Sequence, residues 1–85
     1  MYKKNKLFYV EESEDSAILY NSENDEKLFV LNEIGNLIFQ NLEKFELYEI
    51  KKMIMMKYDI SENELNNDVD NFINNLEALH VIEKC

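Results

Sequence analysis

The side chains that most often perform chemistry in proteins are few in this chain and stand alone. His80 is the single histidine and Cys85 the single cysteine. No further ligand stands at metal-binding spacing from His80, and Cys85 is a terminal thiol without the paired histidine that activates a cysteine nucleophile. We therefore expect no catalytic residues, no metal site, no cofactor and no enzymatic activity.

The backbone of one apolar run suggests chemistry of another kind. Leu28 to Leu31 is aromatic and β-branched, which favours a strand, and it is the last of three predicted strands. A last strand normally lies at the edge of a sheet, where its N–H and C=O groups remain unpaired. The run has no proline, expected bulge or inward charge to protect it, and Lys27 is the only nearby charge on the predicted strand. This pattern predicts either an aggregation hazard or a docking site for an extended peptide.

The two strands that precede this run are short and follow one another closely. Leu7–Val10 and Ala17–Tyr20 are apolar, and polar turns follow them at Glu11–Ser16 and Asn21–Asp25. Short turns between consecutive strands indicate an antiparallel meander. All three strands are apolar on both faces, so one face can pack on helices and the other remains to be explained.

The remainder of the chain has helical periodicity. Asn32 is suited to cap a first helix, whose apolar residues Ile34, Leu37, Ile38, Leu42 and Phe45 recur at spacings of three and four. Gly35 in its first turn predicts close backbone packing or a special entry angle. A second helix is expected over Leu47 to Tyr58.

The third helix has the strongest start signal. Ser61 and Glu64 form a Ser-x-x-Glu capping box, and an apolar stripe then reaches Leu79. His80-Val81-Ile82 is read as a frayed helix end or a short closing strand. Strands followed by helices in this order predict an α+β domain of winged helix-turn-helix type, with a three-stranded antiparallel sheet and then three helices.

Length and charge limit the possible functions. The 85 residues form one domain, residues 1–85, and the net charge of −9 is carried by a chain without arginine. An acidic chain repels nucleic acid, so we expect no nucleic-acid partner. No apolar run approaches the ~20 residues of a membrane span, and the N-terminus lacks an apolar signal-peptide core. With a lone cysteine, these features favour a cytoplasmic protein without a membrane partner.

The stretch from Leu28 to Glu83 resembles the PqqD-like family, also called RiPP recognition elements. Leu31 followed by Asn32-Glu33-Ile34-Gly35 is close to the family's Leu-Asn-Glu-Thr-Gly. Asp68-Val69, followed by Phe72 and Leu76, is similar to the family's Asp-Val-x-x-Phe-x-x-x-Leu. Further matches are Glu49-Ile50, Tyr58-Asp59-Ile60 and His80-Val81-Ile82. Glu46 stands where a Thr or Ser cap commonly begins the second helix.

The resemblance implies a module of natural-product biosynthesis that binds the leader segment of a ribosomally made precursor peptide. The leader would add to the third strand, in a groove against the third helix, and be presented to a modifying enzyme or leader protease. From the edge strand and the third helix, the expected peptide-binding residues are Lys27, Leu28, Phe29, Val30, Leu31, Asp68, Phe72, Asn75 and Leu76. Roughly five or six backbone bonds, each about 0.5–1.5 kcal/mol net, would support micromolar binding. The acidic charge favours a leader with lysine or arginine.

Two other functions remain open at this stage. A winged-helix transcriptional regulator shares the fold class, but its recognition helix would need basic residues, and Ser61–Leu79 has none. An interaction subunit that dimerises through its edge strand would use the same apolar run. We expect a monomer. A size measurement at several concentrations would distinguish the dimerising interaction subunit from the leader-binding module.

Overall fold

The computed structural model describes residues 1–14 and 16–85, so Asp15, in the predicted turn after the first apolar strand, lies outside the described residues. The elements in chain order are β1 (Tyr2–Lys4), β2 (Phe8–Glu12), β3 (Ala17–Asn21), β4 (Glu26–Leu31), α1 (Glu33–Asn41), α2 (Leu47–Lys57), α3 (Glu62–Ala78) and β5 (Ile82–Lys84). The predicted α+β order of three strands and three helices is confirmed. The third strand of the sequence reading is β4.

Strands β2, β3 and β4 form one antiparallel sheet in that order, which confirms the predicted meander. Asparagine side chains shape the β3–β4 turn. The side-chain oxygen of Asn21 accepts from the N–H of Glu23 at 3.0 Å, and that of Asn24 accepts from the N–H of Glu26 at 3.0 Å. Asp25 takes the left-handed conformation, with φ of 55°, which aspartate tolerates better than most residues.

The chain ends form a second, two-stranded sheet. β1 pairs with β5 in antiparallel register, with Lys3 opposite Glu83, and the N–H of Asn5 donates to the carbonyl of Val81 at 2.8 Å. Of the two readings left open for residues 80–82, the structure shows the closing strand, but it begins only at Ile82, and His80 and Val81 lie in the turn before it. The partner strand β1 was not predicted, because Lys3 and Lys4 hide its pattern in the sequence.

Each helix begins at a capping side chain. The Asn32 side chain accepts from the N–H of Gly35 at 2.7 Å, and that of Ser61 accepts from the N–H of Glu64 at 3.3 Å. Glu46 occupies the N-cap of α2, where its own N–H donates to the Glu49 carboxylate at 3.0 Å. A glutamate can thus begin this helix in place of Thr or Ser. The helical stripe predicted to reach Phe45 ends earlier, since α1 stops at Asn41.

The core lies between the helices and one face of the three-stranded sheet. Gly35 is buried where α1, α3 and β4 meet. A Cβ added there would come within 3.7 Å of the Phe72 ring and 3.8 Å of the Leu31 side chain. Both distances are ordinary van der Waals contacts with side chains, so one side chain of α3 and one of β4 lie close to the first turn of α1. The buried core side chains are Ala17, Leu19, Leu31, Ile38, Phe39, Leu42, Ile50, Ile54, Leu65, Val69, Ile73, Leu76, Val81 and Ile82.

Candidate peptide-binding site

Strand β4 has one free edge. Within the described residues its pairing partner is β3 alone, so the groups on its other side are available to a further strand. Which groups those are follows from the hydrogen bonds at the two ends of the β2–β3 pair. The N–H of Ser13 donates to the carbonyl of Ser16, and the N–H of Ser22 donates to the carbonyl of Leu7, both at 2.8 Å.

Antiparallel pairs alternate between hydrogen-bonded and non-hydrogen-bonded positions. The bonds at both ends of β2–β3 therefore turn the backbone groups of Ile18 and Tyr20 toward β2, and those of Ala17 and Leu19 toward β4. Ala17 lies opposite Leu31 and Leu19 opposite Phe29. Hence Phe29 and Leu31 bond to β3, whereas the N–H and C=O groups of Val30 point to the free edge.

The expectation of an edge without a bulge is wrong. Leu19 lies opposite Phe29 and Tyr20 opposite Lys27, so Leu28 is an extra residue in β4. The backbone groups of Lys27 and Val30 point outward. Because of the bulge these two residues are three positions apart, whereas outward-pointing residues in a regular strand are two positions apart. A partner strand consequently meets fewer backbone groups than the five or six bonds expected from the sequence.

The two faces of β4 differ sharply. Leu31 is 4% exposed and belongs to the core, and Phe29 packs against the core beside it. Val30 points to the opposite face, away from the helices, and is 60% exposed. Lys27 is exposed, and Leu28, at the bulge, is half-buried. A side chain of an added strand would meet the helix side or the outer face according to its position relative to Val30.

The four residues expected from α3 differ in accessibility. Phe72 is half-buried, and its ring, like the Leu31 side chain, lies close to Gly35. Leu76 is fully buried, with 0% exposure, so it can support a groove only from beneath. Asp68 and Asn75 are exposed. Their spacing of four and three residues from Phe72 puts them on the same side of the helix.

The ionisable side chains of α3 are all acidic, namely Glu62, Glu64, Asp68, Asp70 and Glu77. Asp70 faces α2, where its carboxylate lies 3.8 Å from the Lys51 ammonium. Asp68 makes no ion pair with any residue that the structure describes. A ligand beside Phe72 would therefore meet an uncompensated negative charge.

Another charge contact lies at the start of α1. The Glu33 carboxylate is 3.7 Å from the Lys57 ammonium of α2. The Glu33 carboxylate, with burial adding to its effect, raises the pKa of the Tyr58 hydroxyl above its ordinary value, and this buried hydroxyl has no hydrogen-bond partner among the described residues. These contacts join the start of α1 to the end of α2, close to where β4 ends.

Strand β2 is the other edge of the sheet, and one of its side chains is hydrogen-bonded to α1. The same alternation points the backbone groups of Val10 and Glu12 outward. The Glu12 carboxylate accepts from the side-chain amides of Asn36 at 3.1 Å and Gln40 at 3.3 Å. This edge therefore carries a charge tied to α1, whereas the β4 edge presents Val30 with no such contact.

Sequence reasoning noted a second apolar face of the sheet but did not identify the side chains that meet there. Tyr9 and Tyr20 stack there with ring centroids 5.3 Å apart, and Ile18 lies opposite Val30 in the register. The alternation of β2 and β3 was the available signal, because it puts these side chains on the face opposite Leu19. This face answers the question of why each strand is apolar on both sides.

Other kinds of site find no support among the described residues. They contain no group of three His, Cys, Asp or Glu side chains placed to hold a metal ion. No helix in this part of the chain is both long and apolar enough to cross a membrane.

The architecture is a winged-helix-like α+β domain with an open edge strand, β4. The family model described as coenzyme PQQ synthesis protein D (PqqD) matches residues 16–82. This span covers most of the 85 residues, so the chain belongs to the PqqD family, as the resemblance indicated. A search of curated proteins finds no significant match.

One solved structure is similar over nearly the whole chain. It is TbiB1 in complex with the TbiA(beta) leader peptide, with a TM-score of 0.81 and 20% sequence identity. The similarity covers 98% of this chain and 96% of the TbiB1 chain. At this identity it establishes a shared fold, including the terminal strands that the family model leaves out.

Proposed function

We propose that this chain binds the leader segment of a ribosomally synthesised precursor peptide by strand addition to β4, in a groove against α3. The carrying observation is the free edge of β4 at Val30 in a chain of the PqqD family. Leu31, the next residue of this strand, and the Phe72 ring of α3 both lie close to Gly35. The similar protein TbiB1 is itself seen with a leader peptide, which supports the same role here.

Backbone pairing supplies only part of the affinity. Each hydrogen bond contributes about 0.5–1.5 kcal/mol net, and micromolar binding needs about 8 kcal/mol. Lys27 and Val30 offer too few groups to reach this value alone. Leader side chains must therefore bury apolar surface against the half-buried Phe29 and Phe72, at about 25 cal/mol per Å².

The proposed role is non-catalytic. The module holds the leader and presents the rest of the precursor to a separate modifying enzyme or leader protease, as a cytoplasmic monomer. Nucleic acid is a poor alternative partner because α3, which would be the recognition helix, carries carboxylates and no basic side chain.

The first test is an amide NMR titration of the labelled protein. The probes are synthetic leader segments of short peptides encoded near this chain. We expect shifts to cluster at residues 27–31 and 68–76 because these residues border the groove. Shifts confined to α1 and α2 would contradict the site, and failure of every leader segment to bind would contradict the function.

A pair of proline variants tests strand addition itself. Val30→Pro removes an outward donor without removing a bond to β3, and we expect at least about a tenfold loss of leader affinity, or about 1.4 kcal/mol. Val10→Pro removes the outward donor of the opposite edge and should leave affinity close to that of the parent. Both are measured by calorimetry, with circular dichroism to check folding. Equal affinities in a folded Val30→Pro variant would exclude pairing along β4.

The same edge could instead join two copies of the chain. Sedimentation at several concentrations distinguishes the two uses, since the proposed function requires a free edge in the unliganded protein. A stable dimer that dissociates in the Val30→Pro variant would favour the dimerisation reading.

A further inference from the structure

We infer that a cavity between the start of the chain and the turn after α3 is a second binding site, which takes an acidic peptide segment through its carboxylates. The cavity has a volume of about 410 Å³. Its lining includes Lys3, Lys4, Asn5, Lys6, His80 and Glu83. None of these residues is assigned to the leader-binding site, so the inference goes beyond the proposed function.

The pairing of the chain ends builds this cavity. β1 pairs with β5, so the start of the chain runs beside the turn that follows α3. Asn5 is tied to this turn by two hydrogen bonds. Its N–H donates to the carbonyl of Val81 at 2.8 Å, and its side-chain amide donates to the carbonyl of His80 at 3.0 Å. The fold therefore holds the lysines on either side of Asn5 next to His80.

The lining of the cavity has more positive than negative charge. Lys3 and Lys6 are exposed and make no ion pair with any residue that the structure describes. The Lys4 ammonium lies 4.5 Å from the centre of the Phe39 ring. Glu83, opposite Lys3 in the register, is the acidic residue of the lining. Three ammonium groups thus surround a cavity with one carboxylate, which favours an anionic ligand.

The net charge of −9 does not cancel this local excess. Interactions between exposed charges are largely screened beyond about 8 Å at physiological ionic strength. Two carboxylates beside β1 also have partners already. The Glu43 carboxylate accepts from the backbone N–H of Lys4 at 3.1 Å, and the Glu46 carboxylate lies 3.1 Å from the N-terminal ammonium.

The backbone of His80 gives a second, independent indication of a site. His80 is in the left-handed conformation, with φ of 61°. The N–H of Val81 donates to the carbonyl of Leu76 at 2.9 Å, and the N–H of His80 donates to that of Glu77 at 3.0 Å. This is the Schellman ending of a helix, in which glycine is the favoured residue because it has no Cβ.

A histidine at this position therefore lowers stability relative to glycine, and packing does not require its ring, since His80 is exposed. Strained backbone positions are concentrated at functional sites. An imidazole N–H can donate to a carboxylate, which glycine cannot do. The side chain of His80 is thus explained by a ligand in the cavity rather than by the turn.

The shape and chemistry of the cavity favour a peptide over a small anion. A volume of about 410 Å³ is far larger than one inorganic anion needs. The chain has no arginine, whose planar fork binds phosphate in a bidentate manner, whereas lysine is a flexible point charge. Charges spread along the lining suit several carboxylates on one extended segment.

The test is an amide NMR titration of the labelled full chain without a leader peptide. The probes are inorganic phosphate, tetraglutamate and tetraglutamine, the peptides being acetylated and amidated to remove terminal charges. Tetraglutamate should shift the amides of residues 3–6 and 80–83. It should bind at least about threefold more tightly than tetraglutamine, the least that three exposed charge pairs supply. The difference should vanish in about 1 M salt.

Charge variants show whether the lysines of the cavity bind the probe. Lys3→Gln and Lys6→Gln should each weaken tetraglutamate binding by about 1.5- to 5-fold, the range for an exposed charge pair. Lys52→Gln is the matched control, because it makes the same change in net charge at an exposed position of α2. It should leave the affinity close to that of the parent. Equal effects of the three variants would overturn the assigned site.

His80→Gly separates ligand binding from the conformation of the turn. Glycine suits the left-handed position, so the variant should have a higher urea midpoint than the parent. It should also bind tetraglutamate at least about 1.5-fold more weakly. A more stable variant with unchanged affinity would show that His80 serves only the turn, and would overturn its place in the site.

Two further results would overturn the assignment to an acidic peptide. One is a tetraglutamate titration without shifts at residues 3–6 and 80–83. The other is phosphate that binds at the same amides as tightly as tetraglutamate. Neither result bears on leader binding at β4, because no leader is present in these titrations.

Discussion

Asp68 and Asp70 lie two residues apart on α3 but face different surroundings. Asp70 is 3.8 Å from the Lys51 ammonium, across the contact with α2. Asp68 lies on the same side of the helix as Phe72 and has no ion-pair partner within the described chain. The two carboxylates therefore make a matched pair for testing whether charge beside the groove attracts a basic leader.

Asp68→Asn should weaken a lysine- or arginine-containing leader by about 1.5- to 5-fold, since an exposed charge pair is worth about 0.2–1 kcal/mol. Most of the change should appear in the association rate and should vanish at high salt. Asp70→Asn makes the same change in net charge and should have a smaller effect. Stopped-flow binding at low and high salt measures both. Equal effects would mean that only overall charge matters.

At the scale of single elements, the start of α1 carries two opposing preferences. Gly35 costs helix stability relative to alanine, yet a Cβ at this position would stand 3.1 Å from the Asn32 side-chain oxygen that caps the helix. The cap and the glycine are therefore coupled, and the same turn connects β4 to Phe72.

The coupling predicts a non-additive pair of variants. Asn32→Ala should lower the free energy of unfolding by about 0.5–2 kcal/mol through loss of the cap. Gly35→Ala should gain less than the full propensity difference of about 0.8–1 kcal/mol while Asn32 is present. In the Asn32→Ala background, the stability gained by Gly35→Ala should approach the full propensity difference, because the Asn32 side-chain oxygen that crowds the added Cβ is absent. Urea unfolding of the four proteins gives the coupling energy. Additive values would show that the Asn32 side chain simply moves aside.

At the scale of the whole molecule, phenol groups on separate elements respond alike to their surroundings. Burial, with the Glu77 and Asp70 carboxylates adding to it, raises the pKa of Tyr2 above its ordinary 10.0. The Glu33 carboxylate, with burial adding to its effect, raises the pKa of Tyr58 from the same value. The pKa of Lys4 shifts in the opposite direction. Burial lowers the pKa of its ammonium group below 10.5. This ammonium group lies 4.5 Å from the centre of the Phe39 ring.

The raised pKa values predict a loss of stability in alkali. The folded chain keeps its phenol protons to higher pH than the unfolded chain, so their contribution is complete below pH 10.0 and falls as the pH passes the folded pKa values. Urea unfolding between pH 8 and 11 should show a decline that is shallower in Tyr58→Phe. Because the pKa of Lys4 is lower in the folded chain than in the unfolded chain, its contribution to stability increases as the pH rises from the folded pKa to 10.5. Lys4→Met removes this contribution and should make the loss of stability with pH steeper. A Tyr58→Phe profile parallel to the parent would contradict the contribution of Tyr58.

Local signals in the chain determined most of the fold. Short apolar runs and turn residues marked β2, β3 and β4, and the capping residues Asn32 and Ser61 marked where α1 and α3 begin. These patterns work because hydrogen bonding at a cap and in a turn involves residues only a few positions apart. The order of the strands also placed β4 at an edge, and with it the candidate site.

Tertiary structure decided the rest. The bulge at Leu28, the outward direction of the Val30 backbone groups and the pairing of β1 with β5 depend on the neighbouring strand and on packing across the domain. No local pattern encodes them, because a shift of one residue in register reverses every side chain and backbone group without changing composition. The sequence therefore located the edge that could receive a peptide, and only the fold determined which residue of that edge would hold it.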